Sequence, residues 1–183
     1  MNDMDIEQTL ERPLDGKILP LCTWPDPVLG GECTAVRAVT DEIMDLARNM
    51  AATMYASQGI GLAAPQIGQP LRMIVVDVTG PDKREQLITL LNPVIEHAEG
   101  CIDSDEGCLS LPQFRANVER AEVVRVRGQD LEGNEVVIEA EGLLAVCLQH
   151  EIDHLRGVLL IDKVGRLKRS MYERKIAKRV KRA

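Results

Sequence analysis

The chain has 183 residues, of which 45% are apolar and 28% charged, with a net charge of −7; this excludes a fibrous or wholly disordered protein and predicts one globular domain. Four aromatic residues are too few for base stacking as the main binding mode, and no apolar run reaches the roughly 18 residues of a membrane span. The acidic N-terminus and the odd number of cysteines, which is five, favour a cytoplasmic protein with reduced thiols over a secreted one.

The first segments predict a leader, a loop region and a helix. Residues 1–17 read as a flexible polar leader, and the Pro- and Gly-rich stretch 19–33 should be extended or looped. Thr40 is a suitable helix cap, and apolar residues at helical spacing follow it. We therefore expect a helix that begins after Thr40 and ends near Gly59.

Four apolar segments predict β-strands. Residues 71–78 are rich in branched side chains and indicate a buried strand, and residues 87–95 indicate another strand that is interrupted at Pro93. Residues 123–127 and 136–140 flank a turn that contains Gly-Asn, which predicts a hairpin.

Two helices are predicted in the C-terminal part. Gly142–Leu155 is apolar nearly all round its first half, so that half should be buried. Residues 167–180 form an amphipathic helix with Tyr172, Ile176 and Val180 in register. The element order predicts an α+β fold, with small antiparallel or mixed sheets packed around a central buried helix and a C-terminal helix. We place the catalytic domain at 18–165 and a basic helix or tail at 166–183.

Positive charge is concentrated at the C-terminus. Residues 163–183 contain ten Lys or Arg and one acid, a net charge of +9, so the other 162 residues carry −16. Such a segment could bind a polyanion such as nucleic acid. A solvated helix without a partner explains the charge equally well.

The strongest chemical signal is HEIDH at residues 150–154. Residues four apart lie on one helix face with a rise of about 6 Å, so His150 and His154 can bind the same metal ion. Glu151 lies beside that face, where a carboxylate can take a proton from an activated water. The alternative, accidental spacing on a charged helix, is disfavoured because unpaired imidazoles are costly to bury.

The residues alone leave the third metal ligand open. No further histidine follows Gly157 at the spacing of the metzincins, His97 falls in a polar loop, and Glu173 lies in the basic segment. Cys147 is about 10 Å along the helix axis from His154 and is expected in the core. Cys108 follows a glycine and begins a short apolar run, which makes it the favoured candidate.

The segment GIGLAAPQIG at 59–68 is a second unusual feature. Its G-x-G-x-x-A pattern does not indicate a dinucleotide site, because a helix precedes it and Pro65 interrupts it. We expect a Gly-rich strand that ends at Gln66 and lets a peptide backbone approach the metal. A simple connection between a helix and a strand is the alternative.

Three segments in this order resemble the peptide deformylases: GIGLAAPQ at 59–66, EGCLS at 106–110 and QHEIDHLRG at 149–157. The resemblance covers roughly residues 18–170. It implies a metal-dependent amidohydrolase that removes the formyl group from N-formylmethionine at the N-terminus of nascent polypeptides and releases formate. Alternatives are a related enzyme for another N-acyl peptide, a zinc endopeptidase and a structural metal site.

The resemblance also implies roles for individual residues. Cys108, His150 and His154 would bind one divalent ion, natively Fe²⁺, for which Zn²⁺, Ni²⁺ or Co²⁺ can substitute. Glu151 would be the acid/base, and Gln66 and the backbone N–H of Leu109 would stabilise the oxyanion. The implied substrate-binding residues are Ile60, Gly61, Gly107, Arg115, Leu143, Val146 and Cys147. The expected partners are formyl-methionyl nascent peptides and the ribosome, the latter through residues 163–183, with no membrane and no sequence-specific nucleic acid.

Overall fold

The structure, a computed structural model, describes residues 15–180, without the side chain of Val180. Its strands are β1 (Gly61–Ala63), β2 (Met73–Val76), β3 (Ile88–Glu99), β4 (Ile102–Gly107), β5 (Arg115–Arg120), β6 (Val123–Gln129) and β7 (Glu135–Glu141). Its helices are α1 (Asp41–Ala56), α2 (Gly80–Lys83), α3 (Gly142–Leu155) and α4 (Arg166–Val180), with 3₁₀ turns at Pro27–Gly30, Ala64–Ile67 and Leu160–Lys163. Within this described range, no helix combines the length and the apolarity needed to cross a membrane.

The strands form two antiparallel sheets. The larger sheet has the order β1-β2-β3-β6-β7, and β4 and β5 form a separate hairpin. One isolated parallel bridge joins Thr34 to Leu71. The predicted α+β fold with small sheets around the HEIDH helix is confirmed.

The larger sheet is covered by a helix on each face. Successive side chains of a strand point to opposite faces, and β2 shows this clearly. Met73 and Val75 belong to the core cluster that contains the α1 residues Met50 and Met54. Ile74 and Val76 belong to a second cluster, which contains the α3 residues Leu148, Ile152 and Leu155. Helix α3 is therefore fixed against the sheet along most of its length, which holds its polar face in place.

The predicted helices agree with the structure except in one turn. The Oγ1 atom of Thr40 accepts a 3.4 Å hydrogen bond from the N–H of Ile43, and α1 ends at Ala56. The bounds of α3 match the prediction. The prediction that the first half of α3 is buried fails in its first turn, where Leu143 is 55% exposed. This leucine lies at the edge of a cavity described below, where the sheet no longer covers the helix.

The prediction that Pro93 interrupts its strand is wrong. Pro93 lies within a bulge of β3. The register of β3 against β6 shifts between Leu91 and Val94, and Asn92 adopts a φ of 52°. The Asn92 side chain accepts a hydrogen bond from the N–H of Val36 and donates one to its carbonyl, each 2.8 Å long. These bonds hold the irregular backbone, so β3 continues on both sides of Pro93.

Helix α4 is attached to the body by its apolar side. Tyr172 and Ile176 are buried in a third cluster with Leu111, Phe114 and Ile161, and the rings of Tyr172 and Phe114 are 4.8 Å apart. The predicted register is confirmed for Tyr172 and Ile176. Residues 1–14 of the predicted leader and 181–183 of the predicted tail lie outside the described residues.

Candidate active site

Helix α3 presents the HEIDH residues toward the β4–β5 hairpin. Buried apolar residues hold the opposite side of the helix against the sheet. The imidazole rings of His150 and His154 are 5.1 Å apart between centroids. His154 is 1% exposed and Glu151 is 4% exposed, so both lie away from bulk water.

Cys108 joins the two histidines from the end of β4. Its Sγ atom is 3.3 Å from Nε2 of His154, and one ligand atom from each of Cys108, His150 and His154 lies within 4.8 Å of the others. The other candidates for third ligand lie elsewhere. The His97 side chain is 60% exposed and pairs with Glu99, and Glu173 pairs with Arg169 on α4.

Cys147 is buried beside the cluster but is not part of it. Its thiol donates a 3.5 Å hydrogen bond to the carbonyl of Ile60. Burial raises the pKa of the Cys147 thiol well above its usual value, so this side chain stays protonated and cannot act as a thiolate ligand.

The residues of the cluster fit a divalent metal ion. One thiolate and two imidazoles are a donor set for Zn²⁺, Fe²⁺, Co²⁺ or Ni²⁺. Burial lowers the pKa of His154 well below its usual range, so its ring is neutral, as a ligand must be. Within residues 15–180, Oε2 of Glu151 and Nδ1 of His154 are buried without a hydrogen-bond partner, and an ion with its water would provide one for Glu151.

Glu106 orients His150 from the side away from Cys108. Its Oε2 atom is 2.8 Å from Nδ1 of His150, which leaves Nε2 of the ring for a metal. Both oxygens of Glu106 also accept hydrogen bonds from Arg120, at 2.7 and 2.9 Å. Burial would raise the pKa of Glu106, but the hydrogen bonds from Arg120 and His150 outweigh it and lower the pKa to about 2. Glu106 is therefore a permanent carboxylate.

Glu106 and Arg120 were not predicted as site residues. The signal available was the glutamate at the start of EGCLS, immediately before the Gly-Cys pair. Its role depends on the β4–β5 hairpin, which places residue 106 opposite residue 116 and so brings Arg120 of the adjacent strand into reach. That hairpin was not predicted.

Glu151 lies against the backbone of β1. Burial raises its pKa to about 7, which suits a group that must both accept and return a proton near neutral pH. A Cβ atom on Gly61 would overlap with Oε1 of Glu151 and would be 2.8 Å from Sγ of Cys147. Only glycine therefore leaves room for the carboxylate at this position.

Gln66 is fixed with its amide nitrogen toward Cys108. The predicted strand ends earlier than expected, at Ala63, and Gln66 lies in the following 3₁₀ turn. Its Oε1 atom accepts a 2.8 Å hydrogen bond from the N–H of Ala63, and its Nε2 atom donates one of 3.2 Å to Oγ of Ser110. Nε2 is also 3.7 Å from Sγ of Cys108. These contacts leave the donor side of the amide facing the cluster.

One cavity of about 590 Å³ joins these groups. The predicted site residues that line it are Ile60, Gly61, Gln66, Gly107, Cys108, Leu109, Arg115, Leu143, Val146, Cys147, His150 and Glu151. His154 is the predicted residue that contributes to the cluster without lining the cavity. The lining residues that were not predicted as site residues are Gln58, Gly59, Ser104, Asp105, Glu106, Leu111, Gln113 and Phe114.

The cavity lies between two strand edges. Residues 59–61 approach it from β1, the edge strand of the larger sheet, and residues 104–107 approach it from β4. Within the described residues, the backbone N–H of Leu109 donates no hydrogen bond, so it is available to a ligand. At the mouth, the guanidinium of Arg115 pairs with Asp105 at 3.0 Å.

Comparison with known proteins agrees with this geometry. The family model "Polypeptide deformylase" matches residues 18–170. A peptide deformylase of Desulfosudis oleivorans is 45% identical over 91% of this chain and 96% of its own length, and one of Thermodesulfovibrio yellowstonii is 49% identical over 86% and 96%. The crystal structure of a peptide deformylase from Legionella pneumophila superposes with a TM-score of 0.84 at 41% identity, covering 90% of this chain and 96% of that one. The chain therefore belongs to the polypeptide deformylase family of metal-dependent hydrolases.

Proposed function

We propose that this protein hydrolyses the N-formyl group of N-formylmethionyl peptides and releases formate. In this proposal Cys108, His150 and His154 bind the metal ion and Glu151 is the acid/base. The observation that carries it is the cluster of Cys108, His150 and His154, which lies with the buried Glu151 beside a cavity between two strand edges. The curated relatives, which are named peptide deformylases, favour this function over a related enzyme for another N-acyl peptide.

The peptide is proposed to bind as an extended strand between β1 and β4. Edge strands offer N–H and C=O groups to a third strand, and Gly61 and Gly107 let a backbone approach closely because they have no side chain. The methionine side chain would lie against Leu143, Val146 and Cys147, with Ile60 alongside. Arg115 at the mouth would contact the peptide backbone farther from the formyl group.

The metal ion would polarise the formyl oxygen and lower the pKa of the attacking water. Glu151 takes the proton of that water and then delivers it to the leaving amine nitrogen, so the amine departs neutral. Negative charge that develops on the formyl oxygen is stabilised by the amide N–H of Gln66 and the backbone N–H of Leu109. Each such donor contributes ~3 kcal/mol to transition-state stabilisation.

Fe²⁺ is the ion we propose for the native enzyme. A thiolate with two imidazoles suits several divalent ions, so the donor set supports Fe²⁺ without distinguishing it from Zn²⁺, Ni²⁺ or Co²⁺. Thiolate and Fe²⁺ are both readily oxidised, so we expect activity to depend on anaerobic preparation.

We further propose a cytoplasmic location and contact with the ribosome through residues 163–183. The five cysteines are free thiols, as expected in a reducing compartment. The basic side chains Arg174, Lys175, Lys178 and Arg179 are exposed on α4, while Tyr172 and Ile176 attach the helix to the body. The exposed cations could therefore meet an RNA-rich surface without displacing the helix.

The proposed function is tested by measuring formate release from a formyl-Met tripeptide with anaerobically prepared, Fe²⁺-loaded protein. The matched substrate is the same tripeptide with an acetyl group. We expect one formate per formyl peptide, no cleavage of internal peptide bonds and no turnover of the acetyl peptide. Absence of formate from protein with bound iron would contradict the proposal, and preferential turnover of the acetyl peptide would assign the site to another acyl group.

A further inference from the structure

Four charged side chains form a continuous row that leads away from His150. In this charged row, Glu106 pairs with Arg120, Nη1 of Arg120 donates to Oδ2 of Asp153 at 2.5 Å, and Nζ of Lys163 pairs with the same oxygen at 2.9 Å. Exposure increases outward, from 5% and 4% for the Glu106 and Arg120 side chains to 19% for Asp153 and 31% for Lys163. The row thus connects a candidate metal ligand with the protein surface.

The outer end of the row reaches a second cavity of about 230 Å³. It is separate from the cavity of about 590 Å³ in which the peptide is proposed to bind, called the peptide cavity below. The second cavity is lined by residues that include Glu119, Arg120, Asp153 and Lys163. The proposed reaction does not use Asp153 or Lys163, and neither lines the peptide cavity. The pairing of Asp153 with the buried guanidinium of Arg120, and of Lys163 with Asp153, therefore calls for a separate explanation.

Charge in the row is balanced, with two carboxylates and two cations. Arg120 is buried, so its charge is poorly screened by water and its interactions extend farther than those of surface pairs. Neutralising Asp153 would leave two cations and one carboxylate on the far side of His150, which would repel a divalent ion. Neutralising Lys163 would leave a surplus of negative charge, which would attract the ion.

We propose that Asp153 and Lys163 set how firmly the metal ion is retained by Cys108, His150 and His154, acting in opposite directions through Arg120 and Glu106. The inference rests on the proposed function, because it requires that these three residues bind a metal. Both residues are positioning residues that tune the charge and orientation of His150 without contacting substrate. Changes in groups that hydrogen-bond to a metal ligand, as Glu106 does to His150, typically alter metal affinity by about 10- to 100-fold. Asp153 and Lys163 act through Arg120 and Glu106, so we expect effects at or below the lower end of this range.

The test measures the rate at which Ni²⁺-loaded protein releases Ni²⁺ to excess EDTA. Asp153→Asn should release the ion about tenfold faster than wild type. Lys163→Met should release it about threefold more slowly, because a partly exposed charge is screened by water. The double variant should return toward the wild-type rate. Asp45→Asn is the matched control, since Asp45 is an exposed helical carboxylate that pairs with Arg48 on α1, and it should leave release unchanged.

The outcomes separate charge balance from simple structural support. If the row only braces the fold, both single variants should release Ni²⁺ faster, and that result would overturn the inference. A wild-type rate in Asp153→Asn would overturn it as well. If Asp153→Asn does not fold, Lys163→Met decides alone: slower release supports the inference, and equal or faster release refutes it. Wild-type protein that takes up no Ni²⁺ would instead contradict the proposed function itself.

Discussion

Gly61 and Glu151 illustrate how a backbone position can control the proposed acid/base. The space that a Cβ atom would need at residue 61 is taken by the carboxylate of Glu151 and the thiol of Cys147. Because both neighbours are buried, neither can move into water to make room. The position of Glu151 therefore depends on a residue that carries no reactive group.

Gly61→Ala should lower kcat for the formyl-Met tripeptide by about a hundredfold, since a shift of the acid/base of about 1 Å costs this much. The measurement is steady-state turnover together with metal content, which should stay at the wild-type level because residue 61 is not a ligand. Gly165→Ala is the control, since nothing lies within 4 Å of its added Cβ. A Gly61→Ala variant with wild-type turnover would show that Glu151 is not held as described.

For individual residues, the sequence predicted the site geometry where spacing along one element decides which side chains lie together. His150 and His154 could be placed together because helix periodicity alone brings them to one face. Cys108 could not, because its approach depends on how β4 lies against α3. Glu106 and Arg120 were missed for the same reason, since their contact spans two strands of a hairpin that the apolar pattern does not reveal.

At the scale of elements, helix α4 is strongly charged and is attached to the body by few side chains. Tyr172 is buried against Phe114 and donates a 3.3 Å hydrogen bond to the carbonyl of Pro112. Phe114 and Leu111 belong to the same cluster and also line the peptide cavity. The attachment of α4 therefore supports one wall of the site.

Tyr172→Ala should lower the free energy of unfolding by about 3 kcal/mol, because it removes a buried aromatic ring. Tyr172→Phe should cost about 1 kcal/mol, the value of one hydrogen bond. Urea denaturation measures both, and Leu167→Ala, at a residue that is 76% exposed, should stay within about 0.5 kcal/mol of wild type. Equal stability of Tyr172→Ala and Leu167→Ala would mean that α4 is not anchored by Tyr172.

Elements with a strong apolar period were predicted well, and polar ones were not. The limits of α3 and the cap of α1 follow from local patterns. By contrast, β4 reads Ile-Asp-Ser-Asp-Glu-Gly, and its single buried residue gives no strand signal. The bulge at Pro93 was unpredictable because it depends on hydrogen bonds between Asn92 and Val36, which are 56 residues apart.

At the scale of the whole molecule, as far as the structure describes it, the exposed basic side chains of α4 do not contribute to the candidate site. The exposed cations of α4 (Arg174, Lys175, Lys178 and Arg179) are absent from the residues that line the peptide cavity. If residues 163–183 contact ribosomal RNA, binding and small-peptide turnover should be separable. The concentration of positive charge at residues 163–183 was visible in the sequence. The binding partner of this basic segment was not.

Replacing these four cations with glutamine should weaken ribosome binding and reduce its salt dependence, by about 0.7 to 0.9 in the logarithmic slope for each lost phosphate contact. Turnover of a formyl-Met tripeptide should stay unchanged. Co-sedimentation at several salt concentrations measures the first effect, and Arg125→Gln with Arg127→Gln on β6 controls for the loss of charge elsewhere. Binding that is unaffected by the fourfold replacement would support a helix that is merely solvated.

In the proposed reaction Glu151 moves the proton while Cys108, His150 and His154 retain the metal ion. The most direct test compares formate release and bound iron in wild type and Glu151→Gln, both prepared anaerobically. We predict that the variant keeps its iron and loses turnover by about a hundredfold or more. A variant that keeps both iron and turnover would contradict this assignment, because Glu151 would then not carry the proton.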